Sequence, residues 1–240
     1  MIVEPEVMLI AGLILLITAT IQGTIGFGSN LLAVPLFAIL DARLLPAPIF
    51  IATMAMAIST AARERHNIQW TVVRCVAVGR IPGTMIGAIV LASVTVASMQ
   101  ILIGGLILLA VAVSARGLSL PATRRVYTTG GLVAGFTATT SGIGGPPVAL
   151  TLQHLDGPAL RSTMGASFAL SVVITLTGIA AAGRLGVDEL LVGLALMPAA
   201  LVGFLISGPL RSHINPSRLR TGVLVLSTAA ALVALTRGVF

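Results

Sequence analysis

The stretch TTSGIGGPPVALTLQHLDG, residues 139 to 157, lies between two apolar segments and contains four glycines and two prolines. Glycine and proline interrupt helices, so the stretch predicts a break in a helix. Its flanking segments are apolar enough to cross a membrane, which places the break inside the bilayer. Non-helical backbone is tolerated at that depth only where it is buried in protein or lines a cavity. The break therefore predicts a pathway through a membrane protein.

The composition agrees with this reading. The 240 residues are 57% hydrophobic and 9% charged, with a mean hydropathy of +1.09, which excludes a soluble domain. The single cysteine, Cys75, excludes a disulfide or a cysteine-cluster metal site within the chain. We expect one all-α integral membrane domain over residues 1–240, with eight apolar runs. The runs fall at about residues 7–40, 44–62, 70–92, 98–115, 126–153, 159–182, 190–209 and 219–236.

A shift of 116 residues superposes the two halves of the chain, about residues 7–115 and 124–238. The matched pairs are Gly26 with Gly142, Gly28 with Gly144, Ala33 with Ala149, Pro82 with Pro198 and Gly87 with Gly203. A small residue at every fourth position, as at Gly79, Gly83 and Gly87, lets helix backbones approach closely in lipid. Because the seventh run repeats this spacing, we expect the third and seventh runs to cross each other near the centre.

The loop charges favour inverted repeats. All fourteen basic residues are arginine and the formal net charge is +7; short loops beside apolar runs explain this basic balance by the positive-inside bias, without nucleic acid. We expect each half to be a broken, re-entrant hairpin followed by three transmembrane helices, with both termini outside. This arrangement puts nine arginines inside, namely Arg63, Arg65, Arg116, Arg124, Arg125, Arg161, Arg211, Arg218 and Arg220, and only Arg43, Arg184 and Arg237 outside.

The two breaks, at residues 22–35 and 139–150, predict a substrate site at the midplane. A half-helix that begins after each break would direct its N-terminal N–H groups to the centre, which favours an anion. The alternatives are that the glycines only allow close packing and that the hydroxyls bond their own helices. The candidate ligands near the breaks are Thr24, Gly26, Gly28, Ser29, Asn30, Thr140, Ser141, Gly142, Gly144, Gly145 and Pro146.

Arg80 is a further candidate ligand. It lies about ten residues, or ~15 Å of helix, from either end of its run, which is too far for comfortable snorkelling. An arginine inside the membrane is costly and usually marks function, a counter-ion or a water-filled cavity. The alternative is a structural partner, either a carbonyl group or the carboxylate of Asp41 or Asp156.

Enzymatic readings have little support in the sequence. Ser141 with His154 or His213 is the one serine–histidine combination that would fit an intramembrane protease. The sequence contains no phosphate-binding loop, zinc-ligand pair or dinucleotide fingerprint. We expect no metal and no cofactor.

The segments GTIGFGSNLLAVPLF, SGIGGPPVALTL and MGASFALSVVITLTGIAAAGRL resemble the sulfite exporter TauE/SafE family of membrane permeases over essentially the whole chain. The resemblance implies transport of sulfite, organosulfonates such as 4-toluene sulfonate, or related sulfur-containing anions across the bacterial inner membrane. Where the family tends to carry a run of glycines, this chain has Ser29 and Asn30. These two polar groups would change which anion the site binds. The family's motifs fall on Gly23, Gly26, Gly28 and Pro35, and on Gly142, Gly144, Gly145 and Pro146.

Together, these features predict a secondary transporter that works by alternating access around the two breaks. An anion channel and, less well supported, an intramembrane serine protease are the alternatives. The expected partners are a small anion and the lipid bilayer, with a homodimer as a further expectation.

The inverted topology predicts that residues 43 and 212 lie on opposite sides of the membrane. In a Cys75→Ser background, single cysteines at these positions should react with a membrane-impermeant thiol reagent from opposite sides of oriented vesicles. Labelling of both from the same side would contradict the arrangement.

Overall fold

The computed structural model describes residues 3–25, 29–93, 96–115, 120–210 and 216–239. These residues are helical and contain no strand, as the sequence predicted. They form ten α-helices, namely α1 (Pro5–Ile25), α2 (Ser29–Leu40), α3 (Ala47–Arg63), α4 (Trp70–Ser93), α5 (Val96–Ala115), α6 (Arg124–Ser141), α7 (Gly145–Thr151), α8 (Gly157–Ala181), α9 (Val187–Leu210) and α10 (Pro216–Val239).

Among the described residues, four helical segments are long and apolar enough to cross a membrane. They are Pro5–Thr24, Trp70–Ser93, Gly157–Ala181 and Val187–Leu210. Their outer faces expose large apolar side chains such as Ile89, Val173 and Leu205, which suits contact with lipid. The described helices therefore have the character of a multi-pass membrane protein.

The break predicted at residues 139–150 is present. Helix α6 ends at Ser141, and Gly142 follows with φ of 81°, a left-handed conformation that favours glycine. The Gly142 amide donates to the Ala138 carbonyl oxygen at 2.9 Å, which closes the helix end. Helix α7 then starts at Gly145, and Pro146 and Pro147 occupy its first turn, where proline is well tolerated.

Glycines bring α4 and α6 into backbone contact. A Cβ atom at Gly79 or Gly83 would overlap the carbonyl oxygen of Thr128 or Leu132, and one at Gly131 would overlap the Val76 carbonyl oxygen. The order of these contacts shows that the two helices run parallel. Without a hydrophobic driving force in lipid, such close packing is a main source of helix association.

The predicted crossing of the third and seventh runs is wrong. These runs correspond to α4 and α9, and their principal neighbours lie elsewhere: α4 packs along α6, whereas α9 packs along α1 and α3. On α9, Gly203 abuts the Leu16 carbonyl oxygen of α1, and Gly193 lies against Ile51 of α3. A small-residue face accepts any helix that can approach it, and here each face finds a helix of the opposite half.

Helices α3 and α8 form an antiparallel pair. Gly165 of α8 packs against the backbone of Thr60 and Ala61, and a Cβ atom at Gly165 would lie 2.7 Å from the Ala61 amide nitrogen. One turn further on, Arg161 Nε donates to Glu64 Oε2 at 3.1 Å. This contact and the ion pair close one end of the space between the two helices.

The α4–α6 contact predicts that Gly83→Ala destabilises the protein by about 2 kcal/mol, because the added methyl group overlaps backbone that cannot move independently. Gly105 on α5 is the matched control, since a Cβ atom there meets nothing within 4 Å. Thermal unfolding of the detergent-solubilised variants should show a lower melting temperature for Gly83→Ala only. Equal melting temperatures for the two variants would contradict the packing.

Candidate functional site

A cavity of about 40 Å³ lies between the residues that flank the two breaks. Its volume accommodates about three water molecules, which is comparable with a small oxyanion. Residues of α1, α2, α3, α4, α7 and α8 contribute to its wall. The lining residues are Gln22, Asn30, Leu31, Phe50, Thr53, Met56, Ala57, Arg80, Gly144, Gly145, Pro146, Phe168, Ser171 and Val172.

Arg80 is the charged residue of this wall, and only 1% of it is exposed. Its Nη2 donates to the Thr175 hydroxyl of α8 at 3.3 Å. Its Nε and Nη1 atoms are buried without a hydrogen-bond partner in the described structure. A Cβ atom at Gly144 would lie 2.8 Å from Arg80 Nη2, so only glycine lets the guanidinium approach the second break this closely.

No carboxylate compensates the charge of Arg80 in the described structure. Asp41 binds Arg43, with Oδ1 accepting from Arg43 Nε at 3.0 Å, and Asp156 caps α8 by accepting from the Ala159 amide at 3.1 Å. Partial burial raises the pKa of Asp41, but the hydrogen bonds and charge of Arg43 outweigh it and leave the pKa below its ordinary value. The alternative that Arg80 pairs with Asp41 or Asp156 is therefore wrong.

The remaining carboxylates also have other positions. Glu64 pairs with Arg161 at the end of α3. The other four acidic residues lie near the beginnings of α1 and α9, namely Glu4, Glu6, Asp188 and Glu189. None of the seven acidic residues of the chain therefore lines the cavity as described.

Two amide side chains hold the breaks together. Asn30 Nδ2 donates to the Gly142 carbonyl oxygen at 3.0 Å, which ties the first break to the second. Gln22 Oε1 accepts from the Ser29 amide at 3.1 Å and so caps the beginning of α2. The Ser29 hydroxyl contacts Asn30 Oδ1 at 3.4 Å.

Five of the twelve site residues predicted from the sequence line the cavity: Asn30, Arg80, Gly144, Gly145 and Pro146. Three hydroxyls donate to carbonyl oxygens of their own helices, which was the alternative interpretation of these residues. Thr24 donates to the Thr20 carbonyl at 2.8 Å, Thr140 to the Phe136 carbonyl at 2.8 Å and Ser141 to the Thr137 carbonyl at 2.7 Å. Ser29 and Gly142 shape the breaks without lining the cavity, and Gly26 and Gly28 lie outside the described residues.

The breaks offer fewer free N–H groups than expected. Gln22 already accepts the Ser29 N–H at the start of α2. Pro146 and Pro147 have no N–H to donate, and α7 is only seven residues long. Among the described residues of the wall, Arg80 is the charged donor available to a ligand.

In the described structure, Ser141 and His154 are not placed as a catalytic pair. The hydroxyl of Ser141 is used within α6, and His154 Nε2 contacts the Tyr127 hydroxyl at 3.0 Å. His213 lies outside the described residues. Within the described part of the chain, no group of three or more His, Cys, Asp or Glu residues is placed to hold a metal ion.

The polar face of α8 was missed by the sequence analysis. Thr163, Ser167, Ser171 and Thr175 recur at every fourth position and are all buried. This spacing puts them on one face of the helix, where Ser171 lines the cavity and Thr175 binds Arg80. Hydroxyl residues at helical spacing in an apolar run were the sequence signal that could have revealed this wall.

Comparison with known proteins gives one match. A family model described as sulfite exporter TauE/SafE matches residues 10–234, nearly the whole chain. No curated protein and no solved structure matches it. A multi-pass helical chain with an arginine-lined cavity between broken helices agrees with this match, and the chain belongs to the sulfite exporter TauE/SafE family of membrane transporters.

Proposed function

We propose that this protein is a secondary transporter of the bacterial inner membrane for small sulfur-containing anions such as sulfite or an organosulfonate. The observation that carries the proposal is the buried guanidinium of Arg80, whose Nε and Nη1 lack partners beside the cavity. An intramembrane arginine costs at least ~2.5 kcal/mol. A bound anion would offset this cost by supplying the missing countercharge and hydrogen-bond acceptors.

The proposed binding wall consists of Arg80, Asn30, Gly144, Gly145 and Pro146, together with the hydroxyl of Ser171. Gly26 and Gly28, which lie outside the described residues, stay substrate-binding residues predicted from the sequence. The remaining residues of the sequence prediction, Thr24, Ser29, Thr140, Ser141 and Gly142, are proposed to shape the breaks through their backbone and local hydrogen bonds.

We further propose that the single domain contains two inverted repeats, each a broken hairpin plus three helices. The 116-residue shift relates α1 to α6, α3 to α8 and α4 to α9. Helix α4 packs on α6 and α8, and its repeat mate α9 packs on the corresponding helices α1 and α3. The repeat mates α3 and α8 run antiparallel, as inversion requires. Both observations support inverted repeats, and the arginine distribution of the loops is what places both termini outside in the proposed arrangement.

Alternating access is favoured over an open anion channel. Between the cavity and the ends of α3 and α8 lie the Gly165 contact with Thr60 and Ala61 and the Glu64–Arg161 ion pair. A substrate that leaves in this direction must separate α3 from α8 at this end. We propose that this separation is the opening step on the side that carries most arginines. A homodimer stays a prediction.

The proposal predicts that Arg80→Gln reduces anion uptake into proteoliposomes at least tenfold, because the single buried charge supplies most of the anion affinity. Arg74→Gln is the matched control, since Arg74 lies on the same helix but is exposed. Uptake of radiolabelled sulfite should fall for Arg80→Gln alone, while both variants purify as monodisperse protein.

Two results would contradict the proposal. Unchanged uptake by Arg80→Gln would remove the guanidinium from the pathway. A parallel loss of uptake and of folded protein for Arg80→Gln would return Arg80 to a structural role.

A further inference from the structure

The side-chain amide of Gln22 has a fixed orientation. Its Oε1 must face the Ser29 N–H, because the 3.1 Å hydrogen bond between them needs an acceptor at that position. The Nε2 group therefore faces away from Ser29, and it makes no hydrogen bond within the described structure. Gln22 is 7% exposed and lines the same cavity as Arg80. An NH₂ group and a guanidinium that has two unpartnered nitrogens thus line the same cavity.

The cavity has one formal charge. Arg80 is the single charged residue among the described residues that line it, and the other polar groups of the wall are neutral. Two ion pairs of the described structure, Glu64 with Arg161 and Asp41 with Arg43, lie outside the wall and are each balanced. Residues 26–28 lie outside the described structure, but their side chains are uncharged in the sequence.

The helix ends at the cavity contribute partial charges but no formal charge. The first N–H of α2 is already accepted by Gln22, and α7 is a seven-residue helix with two prolines in its first turn. A helix macrodipole corresponds to about half an elementary charge at the N-terminus, and its effect falls off within the first turn. The one formal charge that a ligand meets among the described lining residues is therefore that of Arg80.

We propose that this cavity selects a singly charged oxyanion, held by the Arg80 guanidinium as its only charged ligand and by the Gln22 amide as a neutral donor. The proposal rests on the function proposed above and specifies the charge class of its substrate. A monoanion, such as a sulfonate or hydrogensulfite, would leave the occupied cavity electrically neutral. A dianion would leave one negative charge buried without compensation, which is strongly unfavourable in a low-dielectric site.

Methanesulfonate and sulfate provide a matched pair of probes. Both are tetrahedral at sulfur and present at least three oxygens, but a methyl group in methanesulfonate replaces one charged oxygen of sulfate. We expect the full-length protein in detergent, titrated calorimetrically at equal ionic strength, to bind methanesulfonate at least about tenfold more tightly than sulfate. Equal or tighter binding of sulfate would overturn the monoanion preference and leave an anion site in place.

The Gln22→Glu variant tests the donor role separately from the structural one. A glutamate retains the oxygen that accepts the Ser29 N–H, but it loses the NH₂ donors and adds a negative charge to the cavity that Arg80 lines. We expect methanesulfonate binding to fall at least about tenfold while the melting temperature of the ligand-free protein stays equal or rises, because the introduced carboxylate supplies the missing countercharge. Gln69→Glu is the control, since Gln69 is exposed outside the cavity.

The outcomes separate the two proposals. Wild-type affinity in Gln22→Glu would overturn the role of the Gln22 amide. If Gln22→Glu fails to fold, the wild-type comparison of methanesulfonate with sulfate still decides the charge class. If wild-type protein binds neither anion and Arg80→Gln behaves like wild type in uptake, both the charge class and the proposed anion site are overturned.

Discussion

The fold is organised around one buried positive charge. Arg80 lies deep in α4, and the close approach of α6 and α8 removes it from lipid and from bulk water. Gly135 and Gly144 make room for its backbone and its guanidinium, respectively, because a Cβ atom at either position would overlap it. The glycines of the second break therefore have two effects: they interrupt the helix, and they let the charge reach the gap.

The two breaks act as one unit because amide side chains connect them. Asn30 bonds the Gly142 carbonyl across the halves, and Gln22 caps α2 from the end of α1. Ser29 and Asn30, the polar residues at the position where the family tends to carry glycines, therefore help to hold the cavity in shape. Ser29 contributes its backbone more than its hydroxyl. Selectivity among anions is proposed to depend on the number of charges and neutral donors in this small cavity, not on a large set of ligands.

The sequence predicted the elements better than it predicted their neighbours. Glycine and proline at 142–147 located the break because their effect on the backbone is local, and Arg80 stood out because a mid-membrane charge is rare. The partner of α4 was mispredicted because a small-residue face specifies close packing without specifying which helix approaches. The hydroxyls of Thr24, Thr140 and Ser141 bond their own helices, and only three-dimensional packing shows which polar groups remain unpaired. Gln22 became a candidate for that reason.

The most direct test of the buried-charge site is the position of an anion in the cavity. Crystals of the protein grown with selenite, a heavier analogue of sulfite, would locate the ion through the anomalous scattering of selenium. We predict a selenium peak within about 4 Å of the Arg80 guanidinium, with oxygens in hydrogen-bond reach of Arg80 Nε or Nη1 and of Gln22 Nε2. A well-ordered selenium site elsewhere in the protein, with the guanidinium of Arg80 still unpaired, would contradict it.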